Sequence, residues 1–375
     1  MMRRVVVLLV AAACGDNGTE SIQNPVRDTY EQWVKVEPPG VVCGNNTQYK
    51  FFVNFSDKSD NLVVVLEPGG ACWDYDSCTG NAGIRGAANV DGLKDDHYKL
   101  AGFISPFLNR NSEEVPTTDW NMVYIPYCTG DVHTGNNVAT YTDETGTKSV
   151  EFHHDGHHAM EEIVSWLDEN FTHVPKMFVT GCSAGGVGSM VDYHFLRSGI
   201  KSVEKGYMLD DSGPVFPSSG YSMALHQKIR SAWNVDSIGV DLPAGFTFED
   251  MGTINTAVAD EFPRDRLATT YFRRDMNFSL YSYERFFNFP PKDEILRMWD
   301  SDTQLLTKLY DTRANLSYFI PYWRNVNDSH CTTLFSFAGS DIEEQNLTLE
   351  GWIRDLLDDK PITSALEAPV PGEDP

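Results

Sequence analysis

Ser183 stands in the run Gly181-Cys182-Ser183-Ala184-Gly185-Gly186, a serine with a glycine two residues away on either side. Where such a run joins a strand to a helix, the serine hydroxyl projects above the sheet and is placed to attack an acyl carbon. A hydroxyl is a weak nucleophile until a base takes its proton, so a histidine and a carboxylate are needed. His194, His226 and His330 lie downstream. His194 falls in the stretch directly after the glycine run, and His226 in a segment without clear periodicity. His330 follows the apolar run Tyr318-Phe319-Ile320-Pro321 and sits in the polar loop Asn327–Cys331, which favours it as the base. Asp275 follows the strand-like Leu267–Phe272 and precedes His330, which favours it as the acid that orients the imidazole. Asp211 and Asp293 are its rivals, each also readable as a cap or a surface carboxylate. The tetrahedral oxyanion needs N–H donors. Ala184 supplies one, and the loop Gly69-Gly70-Ala71 offers exposed backbone for others.

Other residues invite chemistry more weakly. His153, His154, His157 and His158 surround Gly156, and such a set can suit zinc or nickel. They have no matching cysteines or carboxylates, so a solvated loop and helix start is the better reading, and no metal or cofactor is expected. Trp73, Tyr75, Tyr127 and His133 can line a substrate groove or pack in the core. Arg273, Arg274 and Arg285 can form a local basic patch, although a solvated face explains them as well.

The candidate nucleophile needs a sheet beneath it. Leu62–Leu66 is a short apolar, β-branched run that suits a buried parallel strand, and it feeds the loop Glu67-Pro68-Gly69-Gly70-Ala71. Met122–Tyr127, Met177–Thr180 and Gly206–Leu209 repeat the pattern. Between them Met160, Ile163, Val164 and Leu167 recur at helical spacing, and Val187–Leu196 suits a second helix. Alternating strands and helices imply an α/β fold, a mostly parallel sheet with helices on both faces. Chemistry in such sheets gathers beyond the carboxyl ends of the strands. Residues 218–264 have mixed polarity and read equally as a cap or as a long connection.

The chain has 375 residues, 41% of them hydrophobic, and a formal charge of −25. It can therefore bury a large core, while its negative field disfavours nucleic acid and anionic membranes. The start, MMRRVVVLLVAAAC, has a basic pair, a short apolar run and small residues before Cys14. It reads as an export signal too short to span a bilayer. Small residues before Cys14 also resemble a lipoprotein leader, so a lipid anchor there is the sole membrane contact expected. N-x-[ST] sequons recur along the chain. Beyond Cys14 lie Cys43, Cys72, Cys78, Cys128, Cys182 and Cys331, an even set that suits disulfides in an exported protein, with Cys72–Cys78 expected as a local bridge. Residues 1–24 are assigned to leader and linker, 25–362 to a single catalytic domain, and the proline- and acid-rich 363–375 to a disordered tail.

Taken together these segments resemble the pectin acetylesterase and Notum family. Its early loop reads L-E-G-G-G-W-C with a second cysteine downstream, like Leu66–Cys72 and Cys78 here. Its Y-C-x-G block is similar to Tyr127-Cys128-Thr129-Gly130, its G-[CS]-S-A-G-G elbow to Gly181–Gly186, and its late H-C pair to His330-Cys331. The resemblance implies an α/β-hydrolase-like fold with Ser183 as nucleophile, Asp275 as acid and His330 as base. It implies Gly70, Ala71 and Ala184 as oxyanion donors. The expected activity is hydrolysis of a carboxylic ester, first of all O-deacetylation of a carbohydrate, by a monomer that meets an acylated carbohydrate or another small ester. Pro68 stands for a family glycine and Ala71 for the tryptophan that walls the acyl pocket. Loss of that ring widens the site, so longer acyl chains are the alternative. A non-catalytic binding module on the same scaffold is the reading from another class.

Overall fold

The computed structural model describes residues 29–83 and 86–369. The leader, Cys14 and residues 370–375 lie outside the described residues.

Nine strands form the main sheet: β1 (Trp33–Val36), β2 (Phe51–Asn54), β3 (Leu62–Leu66), β4 (Asn121–Ile125), β7 (Val174–Cys182), β8 (Val203–Asp211), β9 (Arg266–Thr270), β10 (Leu316–Ile320) and β11 (Ala365–Leu366). Two more, β5 (Asn137–Thr142) and β6 (Ser149–His154), form a separate antiparallel hairpin. The main sheet runs β1-β2-β4-β3-β7-β8-β9-β10-β11. Only the β1–β2 and β2–β4 pairings are antiparallel; from β4 onward every neighbour is parallel. This is the mostly parallel sheet that the alternating apolar runs imply, in the α/β-hydrolase-like form that the family resemblance implies.

β3 explains why such strands carry no polar alternation. Leu62, Val64 and Leu66 face one hydrophobic core, and Val63 and Val65 face the other. Both faces are covered, so every position is apolar. The helix Gly156–Asn170 buries Met160, Ile163, Trp166 and Leu167 against the first core. The helix Leu349–Leu357 buries Leu349, Trp352, Ile353 and Leu356 against the second. The helix expected over Val187–Leu196 forms as two, Ala184–Val191 and Tyr193–Gly199, with Asp192 between them.

One expectation changes and one open reading is filled in. The tail expected to be disordered from residue 363 contributes β11, which pairs with β10 and buries Ala365, so its first residues are ordered by the sheet edge. The undecided stretch 218–264 folds into the helices Met223–Ala232 and Thr253–Glu261. These cover an apolar cavity lined by Leu225, Ile229, Trp233 and Ile254 among others. Among the described residues no helix is long and apolar enough to cross a membrane.

Disulfides join Cys43 to Cys128 and Cys72 to Cys78. The second is the local bridge expected from spacing. It closes the loop that follows β3.

Candidate active site

Ser183 sits where β7 ends and the helix Ala184–Val191 begins, at φ 57° and ψ −118°. A non-glycine residue pays for such a conformation, and it persists only where its surroundings enforce it. The glycines around it allow the strand and helix to touch. A Cβ on Gly181 would lie 2.5 Å from the Gly185 carbonyl oxygen, and one on Gly185 only 2.1 Å from the Leu66 carbonyl oxygen. The Ser183 N–H donates to the Asp211 carbonyl at 2.8 Å, tying the elbow to β8.

His330 lies beyond β10, and its Nδ1 meets Asp275 Oδ2 at 2.8 Å. Asp275 comes five residues after β9 ends, is fully buried, and caps the helix Met276–Tyr283 by accepting the Phe278 N–H at 2.8 Å. Burial alone would push the imidazole toward its neutral form. The charge and hydrogen bond of Asp275, with smaller help from the charges of Asp211 and Asp328, outweigh it and hold His330 above the ordinary histidine range. Burial in turn raises the Asp275 carboxyl, against the opposing pull of His330.

The loop after β3 faces the same space. Gly70 has φ 63°, a left-handed conformation that favours glycine. No acceptor among the described residues takes the N–H of Gly70 or Ala71. Ala184 is the first residue of its helix, where backbone donors have no partner inside the helix. Beneath the loop, the buried Glu67 carboxylate accepts the Tyr127 N–H at 2.7 Å and meets His97 Nε2 at 2.9 Å. Its backbone carbonyl meets His133 Nε2 at 3.0 Å.

These parts converge on one cavity of about 290 Å³, lined by Gly70, Ala71, Ser183, Ala184 and His330, with Phe278 and Tyr281 on its wall. A third disulfide joins Cys182 to Cys331, the chain neighbours of Ser183 and His330. A second, narrower cavity of about 80 Å³ adjoins the first and shares Val132, Phe278 and Tyr281 with it.

The structure thus brings together all six residues read from the sequence, sets His194, His226 and Asp293 apart from them, and keeps Asp211 beside them in another role. His194 pairs with Glu261 at 2.6 Å, His226 faces the second cavity, and Asp293 is exposed in the first turn of the helix Lys292–Tyr310. Asp211 is neither a cap nor a surface group. It is wholly buried and accepts the backbone N–H groups of Thr332 and Thr333 at 2.9 and 2.8 Å, holding the segment after His330. Sequence reasoning missed this role and that of Glu67. The signal available for both was a carboxylate ending an apolar strand.

The four clustered histidines diverge: the expected helix start is present at Gly156, but the residues before it form β6 in place of the expected solvated loop. His154 is buried in β6, with Nδ1 at 3.0 Å from the Thr129 carbonyl and Nε2 at 2.8 Å from the Tyr141 hydroxyl. Burial lowers its pKa to about 4, leaving it neutral near pH 7. His157 packs on Phe195 inside the helix, while His158 faces Asp155 near the surface. Trp73, Tyr127 and His133 are core residues. Arg273 pairs with Asp300 and Arg285 with Asp74, so neither is committed to a substrate anion.

A pectinacetylesterase family model matches residues 30–249, which include Ser183 and the Gly70 loop but stop short of Asp275 and His330. Pectin acetylesterase 4 of Arabidopsis thaliana is 27% identical over 167 residues, 44% of this chain and 38% of that protein. The palmitoleoyl-protein carboxylesterase NOTUM of Schmidtea mediterranea is 26% identical over 181 residues, 48% of this chain and 29% of that one. The match spans well under half the length of either relative. Among solved structures, the Wnt deacylase Notum from Drosophila superposes with a TM-score of 0.58 at 16% identity, covering 89% of this chain and 96% of that one. At that identity the likeness is one of fold.

Proposed function

The chain belongs to the pectinacetylesterase family, and on that premise we propose that it hydrolyses carboxylic esters through Ser183, His330 and Asp275. The observation that carries this reading is the His330–Asp275 hydrogen bond on the wall of the cavity that also receives Ser183.

The chemistry follows from the groups present. Ser183 Oγ attacks the ester carbonyl while His330 Nε2 takes its proton, and Asp275 holds the ring with Nδ1–H turned toward the carboxylate. Negative charge then develops on the carbonyl oxygen, where the N–H groups of Gly70, Ala71 and Ala184 receive it. Collapse of the tetrahedral intermediate breaks the bond to the alcohol, which leaves with the proton from His330. Water, deprotonated by the same ring, attacks the acyl-serine; the bond to Ser183 Oγ breaks, Oγ takes the proton back from His330, and the carboxylic acid leaves.

O-deacetylation of a carbohydrate is the substrate reading we favour, in keeping with the plant relative's name. Acylated carbohydrate or another small ester is the partner, and the chain's acidity argues against nucleic acid. An exported protein suits both the leader and the disulfides. The adjoining apolar cavity supports a second reading, release of a longer acyl chain, in keeping with the name of the NOTUM relative. Initial rates on nitrophenyl esters from acetate to octanoate separate the two: a maximum at acetate supports deacetylation, and one beyond butyrate replaces it with deacylation. Absence of hydrolysis across the series, with the protein folded, would leave only a binding role.

A further inference from the structure

We propose that Asp211 is a positioning residue that holds His330 in register with Ser183. The proposal rests on His330 being the base of the reaction above, and it adds to that triad a second buried carboxylate that touches no substrate.

Asp211 is the last residue of β8 and lies between the two halves of the site. In the sheet it pairs with Cys182 on one side and Thr270 on the other. Its carbonyl accepts the Ser183 N–H at 2.8 Å. Its carboxylate faces the loop of His330. Oδ1 accepts the Thr332 N–H at 2.9 Å, the Thr332 hydroxyl at 3.1 Å and the Ser212 hydroxyl at 2.9 Å. Oδ2 accepts the Thr333 N–H and the Thr333 hydroxyl, both at 2.8 Å. Ser212 extends the contact, since its Oγ accepts the Cys331 N–H at 3.0 Å. One residue therefore grips the backbone of the nucleophile and the segment that follows the base.

The loop it grips would not keep this shape unaided. Asp328, Ser329 and Cys331 have φ of 52°, 53° and 66°, so non-glycine residues on both sides of His330 occupy the left-handed region. A carboxylate taken out of water must find donors to compensate, and all five donors of Asp211 come from Ser212 and the His330 loop. The polar clamp and the Cys182–Cys331 disulfide cross the same gap by independent bonds. Arg324 braces it from the far side, donating to the Cys331 carbonyl at 2.7 Å.

A residue that only stabilised the fold would change how much protein is folded and nothing else. A positioning residue changes kcat, because a misplacement near 1 Å costs on the order of 10²-fold in rate. It also alters the field at the ring. The charged groups facing His330 are Asp275, Asp211 and Asp328, with Arg324 beyond Asp211, and the three carboxylates favour the imidazolium. Asp211→Asn keeps the shape, removes the charge, and turns an NH2 toward donors.

The test measures kcat, KM and the pH profile of kcat/KM for Asp211→Asn, Thr333→Val, Thr333→Ser and His330→Ala, with the folded fraction of each fixed by circular dichroism. For folded Asp211→Asn, kcat falls on the order of 10²-fold, with KM within about threefold and the acidic limb moved to lower pH. Thr333→Val loses activity in the same direction and Thr333→Ser restores it. Wild-type kcat in folded Asp211→Asn, or loss that tracks the unfolded fraction with an unmoved limb, overturns the proposal. Should Asp211→Asn fail to fold, equal kcat for the two Thr333 variants overturns it instead. An active His330→Ala would refute the triad itself; an inactive one beside a fully active Asp211→Asn refutes only the role of Asp211.

Discussion

Cys182 and Cys331 are bonded to each other, and each is the immediate neighbour of a residue on the catalytic cavity, Ser183 and His330 respectively. The covalent link closes 149 residues of sequence and ties the chain beside Ser183 to the chain beside His330, the two groups between which the proposed mechanism moves a proton. Both cysteines are buried. The double variant Cys182→Ser/Cys331→Ser is expected to keep its fold and its KM while kcat drops at least tenfold, because the loss acts on alignment rather than on substrate contacts. Denaturant titration should show a cost of about 2–5 kcal/mol. A double variant with wild-type kcat would show that the link serves stability alone.

If His330 is the base, as proposed, Asp275 sets the pH at which it works. The ring must be neutral to accept a proton, and Asp275 holds its pKa above the ordinary value, so kcat/KM falls as pH drops through that raised value. In Asp275→Asn the largest of the raising charges is gone and burial weighs more heavily, so the acidic limb moves to lower pH. Turnover on the plateau falls by about 10⁴, the loss known for a mis-set imidazole in such triads. A pH–rate profile whose acidic limb stays put in Asp275→Asn would contradict the pairing.

Gly70 sits in the loop whose N–H groups, without an acceptor among the described residues, are proposed to meet the oxyanion. Its φ of 63° is costly for a β-branched side chain. Gly70→Val is therefore expected to turn the donor away and lower kcat by about 10²–10³ with KM little altered. Steady-state kinetics on nitrophenyl acetate read this out, and unchanged kcat would remove Gly70 from the site.

How far these features can be read from the chain alone differs from residue to residue. Ser183 is legible because its local sequence carries the strand, the glycines and the helix together. His330 and Asp275 are legible by order, each following an apolar run that proves to be β10 or the stretch continuing β9. Asp211 is not, because its partners Thr332 and Thr333 are brought to it by sheet order that local spacing does not encode. The Cys182–Cys331 pairing is hidden for the same reason. His154 misleads in the opposite sense: four histidines in six residues suggest a shared function, yet the change from β6 to a helix at Gly156 sends them apart.

The second cavity makes a prediction about acyl length. Leu225 lines it without touching the catalytic cavity. If acyl chains enter there, Leu225→Trp fills the space and lowers kcat/KM for octanoate at least tenfold relative to acetate, in line with what a few methylenes are worth in an apolar pocket. An unchanged octanoate-to-acetate ratio would assign the cavity to the fold and strengthen the acetyl reading.

The central claim is that Ser183, activated by His330, forms the covalent intermediate. Mass-spectrometric mapping of a fluorophosphonate adduct tests it most directly. One adduct per chain, located on Ser183, absent from Ser183→Ala and formed far more slowly in His330→Ala, is the predicted result. An adduct on another residue, or undiminished labelling of Ser183→Ala, would contradict it.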